Sequence, residues 1–207
     1  NTLDFVATDG RRLAKVTKQA DFAGVISAVV PASAWRMAGH FTGLVRLVFS
    51  KRGMTLSTND GFKMKTLLVE GKYPDYQAVI PKDGGSRLLL RRTEFLSSLR
   101  RISIYSSKST YQVRLSIKGN ELQLSAEDPD FSNQALETLA CEYNGPDMEI
   151  GFNARFLVEM LSTLSGDEVQ FELSSSSRPG VLRPVHQEDQ EDTLMLLMPV
   201  MLSDYRA

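Results

Sequence analysis

One cysteine, one tryptophan and two histidines are all that this 207-residue chain offers of the rarer, chemistry-bearing side chains. A lone Cys141 excludes an internal disulfide and provides no zinc-ligand spacing. That is the usage of a reducing compartment, and the residue reads as a small buried apolar group. His40 and His186 stand without a GxSxG, HExxH, CxxC, glycine-rich phosphate loop or paired-acid motif, so the parts needed for nucleophilic, metal-assisted or acid–base catalysis are missing. The Asp9-Gly10 pair has no histidine or nucleophile near it in sequence. The acidic run from His186 to Asp192 lacks the ligand spacing of a calcium loop and reads as a solvated hairpin tip. No catalytic residue, metal ligand or cofactor is expected. Long apolar runs are also absent: Leu194 to Met198 is far short of the roughly 20 residues of a membrane helix, and no basic-then-apolar signal segment opens the chain. A cytoplasmic protein with no membrane partner follows as the expectation. Neither charge sign dominates, with 24 Lys and Arg against 25 Asp and Glu. The chain opens at Asn1, just before a strand and without an initiator methionine, and reads as a fragment or processed product.

What is present is the composition of an ordinary globular protein, 42% hydrophobic and 24% charged, which is enough for a sizeable core. The length falls between one large domain and two small ones. Apolar periodicity is mostly that of strands, at 3–9, 12–18, 25–31, 44–50, 53–58 and 63–69, then at 111–118, 121–127, 135–143, 147–151, 168–174, 180–185 and 193–199. Turn signals such as Lys118-Gly119-Asn120 and Asn144-Gly145-Pro146 separate them closely, which implies antiparallel hairpins and meanders. RLVFSKRGMTLSTNDGFKMKTLLVEGKYPD from Arg46 and RLSIKGNELQLSAEDPDFSNQALETLACEYNGPD from Arg114 share strand, tight turn, strand, loop, long strand and a closing Pro-Asp, and are read as an internal repeat. The boundary between copies is expected in Pro81 to Ser86, the most linker-like stretch.

Three segments carry helical spacing instead. From Arg92 to Ile104, Phe95, Leu96, Leu99 and Ile102 form one apolar stripe, with Arg100 and Arg101 on the other side. After Asn153, a good N-cap, Phe156, Leu157, Met160, Leu161 and Leu164 repeat the stripe until Gly166. A weaker candidate runs from Pro31 to Phe41 with Ser33 as cap. Helices laid on antiparallel sheets in each copy give an α+β fold.

Four motifs, VATDGRRLA at 6–14, EGKYPDYQAVIP at 70–81, IGFNARFLVEML at 150–161 and MPVML at 198–202, stand in the order and at about the spacing found in the bacterial sliding clamps, the β subunits of DNA polymerase III. The chain resembles that family over nearly its whole length. Residues 1–82 resemble the latter part of the middle clamp domain and 83–207 the whole third domain, except for the tail Ser203 to Ala207. The resemblance implies repeated clamp domains with helices packed on one face of antiparallel sheets. It also implies a non-catalytic processivity factor within a holoenzyme that carries the DNA-directed DNA polymerase activity. Full-length members form a head-to-tail homodimeric ring around duplex DNA, without sequence specificity. Lacking a first domain, this fragment is expected to be monomeric.

The family's peptide cleft, between middle and third domains, takes short Gln/Leu/Phe motifs of polymerases, the clamp loader and repair proteins. Carried over by position, its walls are Thr8, Gly10, Arg11, Arg12, Leu13, Pro74 and Val79 on one side. Asn153, Phe156, Ser177, Pro179, Leu196, Met198, Pro199, Val200 and Met201 form the other. Flexible methionines suit a site with many partners. The chain departs from the family at Arg11, Ala78, Ser177 and Met201, which predicts a less basic rim and an altered subsite. Arg36, Arg100 and Arg101 are the DNA-facing candidates, through phosphate contacts alone. Ile104 and Tyr105 resemble the subunit interface. The alternative left by the residues themselves is a β-rich peptide-binding scaffold unrelated to replication.

Overall fold

The computed structural model describes residues 1–20, 24–82 and 84–202; the tail from 203 lies outside the described residues, as does Asp83 in the expected linker. Strands dominate, because most apolar stretches alternate with period two. A larger compact unit comprises residues 1–21 and 77–207, and a smaller one 22–76.

The larger unit begins with an antiparallel hairpin, β1 (Thr2–Thr8) and β2 (Arg12–Gln19). It continues with β6 (Ser86–Arg91), α2 (Arg92–Ile102), β7 (Gln112–Lys118), β8 (Glu121–Asp128), β9 (Asn133–Ala140), β10 (Glu142–Tyr143) and β11 (Met148–Asn153). Helix α3 (Ala154–Thr163), β12 (Glu168–Leu173), β13 (Gly180–Pro184) and β14 (Glu191–Leu197) complete it. One seven-stranded sheet has the order β1-β2-β14-β13-β12-β6-β10, and a second, four-stranded, the order β11-β7-β8-β9. The two sheets share a core. Phe152 on β11 and Phe171 on β12 stack with ring centres 5.2 Å apart, and Phe95, Leu99 and Ile102 of α2 and Leu157 and Leu161 of α3 are buried in the same cluster. Each such side chain stabilises the fold by about 1.5–3 kcal/mol relative to exposure, so this cluster sets the positions of both helices.

The smaller unit holds α1 (Ala32–Ala38) and a meander of β3 (Val45–Phe49), β4 (Gly53–Thr58) and β5 (Lys63–Leu67). Its own core is Ala34 under Met54, Leu56 and Met64, with Trp35, Phe41, Leu47 and Phe49 packed at the margin. The meander β3-β4-β5 corresponds strand for strand to β7-β8-β9, as the repeat predicts.

Several expectations are corrected. The apolar run 25–31 forms no strand: Val25 is fully exposed, and one backbone bond, from the Val69 N–H to the Val29 carbonyl, ties the segment to the meander. Residues 86–91 form β6, although Ser86 falls in the expected linker and 87–91 carry no expected element, because Leu88 and Leu90 reach the core between β12 and β10. The run 135–143 breaks at Cys141, where the chain leaves the second sheet at β9 and joins the first at β10. Helix α1 starts after Pro31, with no side-chain cap from Ser33. Apart from these corrections, and without bearing on the expected domain division, the first hairpin is part of the larger compact unit, because β2 pairs along β14 from Arg12 opposite Leu197 to Lys18 opposite Glu191.

Candidate functional site

The turn of the first hairpin is locked by its own polar side chains. The Thr8 hydroxyl donates to the Arg12 carbonyl (2.8 Å) and accepts from the Gly10 N–H (3.1 Å). Asp9 Oδ1 accepts from the N–H groups of Arg11 (3.0 Å) and Arg12 (2.9 Å), while Oδ2 accepts from Arg12 Nε (2.9 Å). Burial alone would push the Asp9 carboxyl up, but these donors outweigh it and hold the group below its ordinary value. Gly10 takes φ +83°, a left-handed conformation that costs a side-chain-bearing residue about 1–2 kcal/mol. Gly10 is therefore the left-handed residue of the turn, and Asp9 is the turn's acceptor.

The turn is joined to the C-terminal segment by register. Leu13 lies opposite Leu196, and Arg12 opposite Leu197. Strand alternation sends Met195 and Leu197 into the main core, so Leu13 and Leu196 share the other face of the sheet. Both are buried. Beyond β14 the Met198 N–H donates to the Arg11 carbonyl (2.9 Å), and the Val200 N–H donates to the Gly151 carbonyl (2.9 Å). Gly151 is needed there: a Cβ would lie 2.8 Å from the Val200 carbonyl oxygen. Pro179 precedes Gly180, which pairs with Leu197, so the loop carrying Ser177 ends beside Met198.

Asn153 caps α3, its Oδ1 accepting from the N–H groups of Arg155 (3.0 Å) and Phe156 (3.3 Å), while Nδ2 donates to the Thr110 carbonyl (2.9 Å). Next to it Tyr111 is held at φ +51°, its carbonyl accepts from the Ala154 N–H (2.7 Å), and the Arg155 guanidinium lies 3.4 Å over its ring. The start of α3 is thus fastened to the loop before β7. From the hairpin, Arg12 reaches α3, 4.4 Å over the Phe156 ring and 2.5 Å from Glu159.

On the α3 side of the sheet this bridge borders a cleft of about 380 Å3. Ala14 and Met195 line it from the sheet, Met160 and Thr163 from α3, and Thr8, Asp9 and Arg12 from the turn. Asp9, Glu159, Met160, Thr163 and Met195 were not foreseen as site residues. The spacing of Phe156, Met160 and Thr163 on one helix face was the available signal.

The structure therefore brings Thr8, Gly10, Arg11, Arg12 and Leu13 together with Leu196, Met198 and Val200, and connects Asn153 and Phe156 to the same end of the larger unit. Met198 and Met201 are 41% and 87% exposed. Val79 is exposed in the larger unit, and Pro74 lies in the smaller one. Arg36, Arg100 and Arg101 are exposed on their helices, but Arg101 is held by Glu137 through two 2.7 Å contacts, and Arg100 donates to the Ser162 hydroxyl (3.3 Å). Ile104 and Tyr105 are exposed in a 3-10 turn after α2. Among the described residues no group of three or more His, Cys, Asp or Glu side chains is placed to hold a metal, and no helix is long and apolar enough to cross a membrane.

Residues 77–199 match a family model described as the DNA polymerase III beta subunit, C-terminal domain. The beta sliding clamp of Pseudomonas aeruginosa is 30% identical to this chain, over 97% of the chain and 55% of that protein. That of Pseudomonas putida is 28% identical over 98% and 55%. Among solved structures, a P. aeruginosa sliding clamp bound to griselimycin superposes with a TM-score of 0.89 at 29% identity, and one from Bartonella birtlesii, also bound to griselimycin, with 0.87 at 32%. Each covers 97% of this chain, which spans 55% of each. The chain thus spans about half the length of the relatives it matches.

Proposed function

From the premise that this chain belongs to the family of DNA polymerase III β subunits, the sliding clamps, we propose that it is the partner-binding portion of a DNA replication processivity factor. In this reading residues 1–82 are part of a middle clamp domain and 83–207 a third domain. The intact protein is a cytoplasmic homodimeric ring that slides on duplex DNA and tethers polymerase, clamp loader and repair proteins. It is a non-catalytic accessory subunit.

The observation that carries the reading is the pairing of β2 with β14, which puts Leu13 beside Leu196 and hydrogen-bonds Arg11 to Met198. A turn and a C-terminal segment far apart in sequence become one surface with apolar and polar groups interleaved. A short Gln/Leu/Phe segment fits such a surface: Leu and Phe against the exposed Val79 and Met198, backed by the buried Leu13 and Leu196, and Gln on Asn153. Phe156, Pro179, Pro199, Val200 and Met201 are assigned to its walls. Ser177 stands where the pockets of the family often hold an aliphatic residue, which in this reading makes one subsite altered or shallower. Arg36 and Arg100 are the stronger DNA-facing assignments, since Arg101 is already neutralised by Glu137. Ile104 and Tyr105 are assigned to the subunit contact, beside the open edge of the second sheet at β9. The family match sets aside the unrelated-scaffold alternative.

The test is fluorescence anisotropy of a labelled Gln-Leu-x-Leu-Phe peptide titrated with the chain, beside a control with Gln, Leu and Phe replaced by Ala. Saturable binding, absent with the control, is the expected result. Equal behaviour of the two peptides with folded protein would remove the site.

A further inference from the structure

The near-neutral charge of the chain conceals an imbalance. Residues 22–76 contain seven basic and three acidic side chains, while acidic residues exceed basic ones in the remainder. Within this smaller unit three of the seven basic side chains share one face of the three-stranded sheet.

Alternation assigns the two faces. Leu47, Phe49, Met54, Leu56 and Met64 point to the core under α1. Arg46 and Val48 of β3, Thr55 and Ser57 of β4, and Lys63, Lys65 and Leu67 of β5 form the opposite face. By register Ser57 is flanked by Arg46 and Lys63, and Thr55 by Val48 and Lys65. None of the three strands contains a carboxylate. The three cations are exposed, and among the described residues none makes an ion pair. Val48 and Leu67 on the same face are 54% and 76% exposed.

The repeat supplies an internal control. Arg46 corresponds to Arg114 of β7, whose guanidinium pairs with Glu149 of the neighbouring strand β11 at 2.7 Å. In the smaller unit the corresponding segment before α1, residues 25–31, forms no fourth strand and contains no carboxylate, so Arg46 has no counterpart of Glu149.

We propose that this face docks an acidic, amphipathic protein segment, with carboxylates over Arg46, Lys63 and Lys65 and aliphatic side chains over Val48 and Leu67. Charge complementarity defines the basic part, and the exposed aliphatic side chains of the two outer strands define the rest. A nucleic-acid backbone would use the cations and hydroxyls but has nothing to set on Val48 and Leu67, and the face has no aromatic ring on which a base could stack. The surface uses none of the residues assigned to the Gln/Leu/Phe site, so the two readings stand or fall separately.

The experiment titrates the full chain into a fluorescein-labelled amphipathic peptide of glutamate and leucine, and in parallel into its glutamine-for-glutamate counterpart and a labelled DNA duplex. Two variants are used, Arg46→Glu/Lys63→Glu/Lys65→Glu and Val48→Ser/Leu67→Ser, each checked for folding by circular dichroism. Expected are saturable binding of the acidic peptide alone, at least a tenfold loss in either variant, and protection of Lys63 and Lys65 from acetylation in the unmutated chain. Acidic-peptide binding that is absent, or unchanged in the variants, overturns the proposal. So does binding of the duplex that depends on the three cations while the Val48/Leu67 variant is indifferent. Acetylation protection in the unmutated protein decides the matter should a variant fail to fold.

Discussion

The Arg12 guanidinium lies 4.4 Å over the ring of Phe156, so a residue of the first hairpin stacks on a helix that begins 142 positions later. The same guanidinium is shared by Asp9 and Glu159, a turn carboxylate and a helix carboxylate. Arg12→Ala is expected to lower stability by about 1 kcal/mol, from a stacked cation worth about 0.5–1 and ion pairs that solvent screens to about 0–1. Arg12→Lys recovers only part, because an ammonium does not stack and fork as a guanidinium does. Urea denaturation of the three proteins measures both.

Asn153 has two separable tasks, capping α3 and holding the Thr110 carbonyl. Asn153→Ala loses both, at about 1–2 kcal/mol. Asn153→Asp keeps the cap and loses only the Nδ2 donor, so its stability should fall between. Amide exchange at Arg155 and Phe156 should quicken in the alanine variant and stay slow in the aspartate one.

Gly151→Ala tests the seat of the C-terminal segment. Its Cβ would collide with the Val200 carbonyl and with Leu202, and the neighbour cannot yield without straining the Val200 to Gly151 hydrogen bond. A loss of about 1–3 kcal/mol is expected, typical of overpacking, with faster exchange at the Val200 amide. An unperturbed Val200 amide would show that the segment is not seated on β11.

The hydrogen bond from Arg101 holds the Glu137 carboxyl below its ordinary value, against a smaller opposing effect of burial. A depressed carboxyl pKa contributes stability that is present above the unfolded value of about 4.3 and is lost as pH falls through the folded value. Arg101→Ala should therefore narrow the stability gap to the unmutated protein as pH drops from 7 toward 3. A gap that stays constant with pH would mean that the pair does not contribute.

Met198, exposed beside Arg11, is the proposed anchor for an incoming peptide. Met198→Ala should weaken binding of the Gln-Leu-x-Leu-Phe peptide by about 1–2 kcal/mol without changing the unfolding midpoint. Unchanged affinity in the folded variant removes Met198 from the site.

Much of the fold was legible in local pattern. The stripe Phe156, Leu157, Met160 and Leu161 after a capping Asn153 specifies α3, and the like turns after Arg46 and Arg114 specify two equivalent meanders. The errors fall where a neighbour decides. Residues 25–31 and 147–151 both read as strands, yet only the second obtains a ladder partner, in β7. Residues 87–91, between the expected linker and the helix from Arg92, carry no expected element of their own and become β6 with Ser86 because β12 and β10 offer two edges to fill.

The site divides in the same way. Gly10 as a left-handed turn residue, Asn153 as a cap and Met198 in an apolar segment are properties of a few consecutive residues, and sequence by itself determines them. That Leu13 meets Leu196, that Arg12 stacks on Phe156, and that Arg101 is neutralised while Arg46 is not, depends on which strands and helices become neighbours. Only the tertiary structure decided those, because burial of the shared core selects the pairing, and no short-range signal records a partner 36 or more residues away.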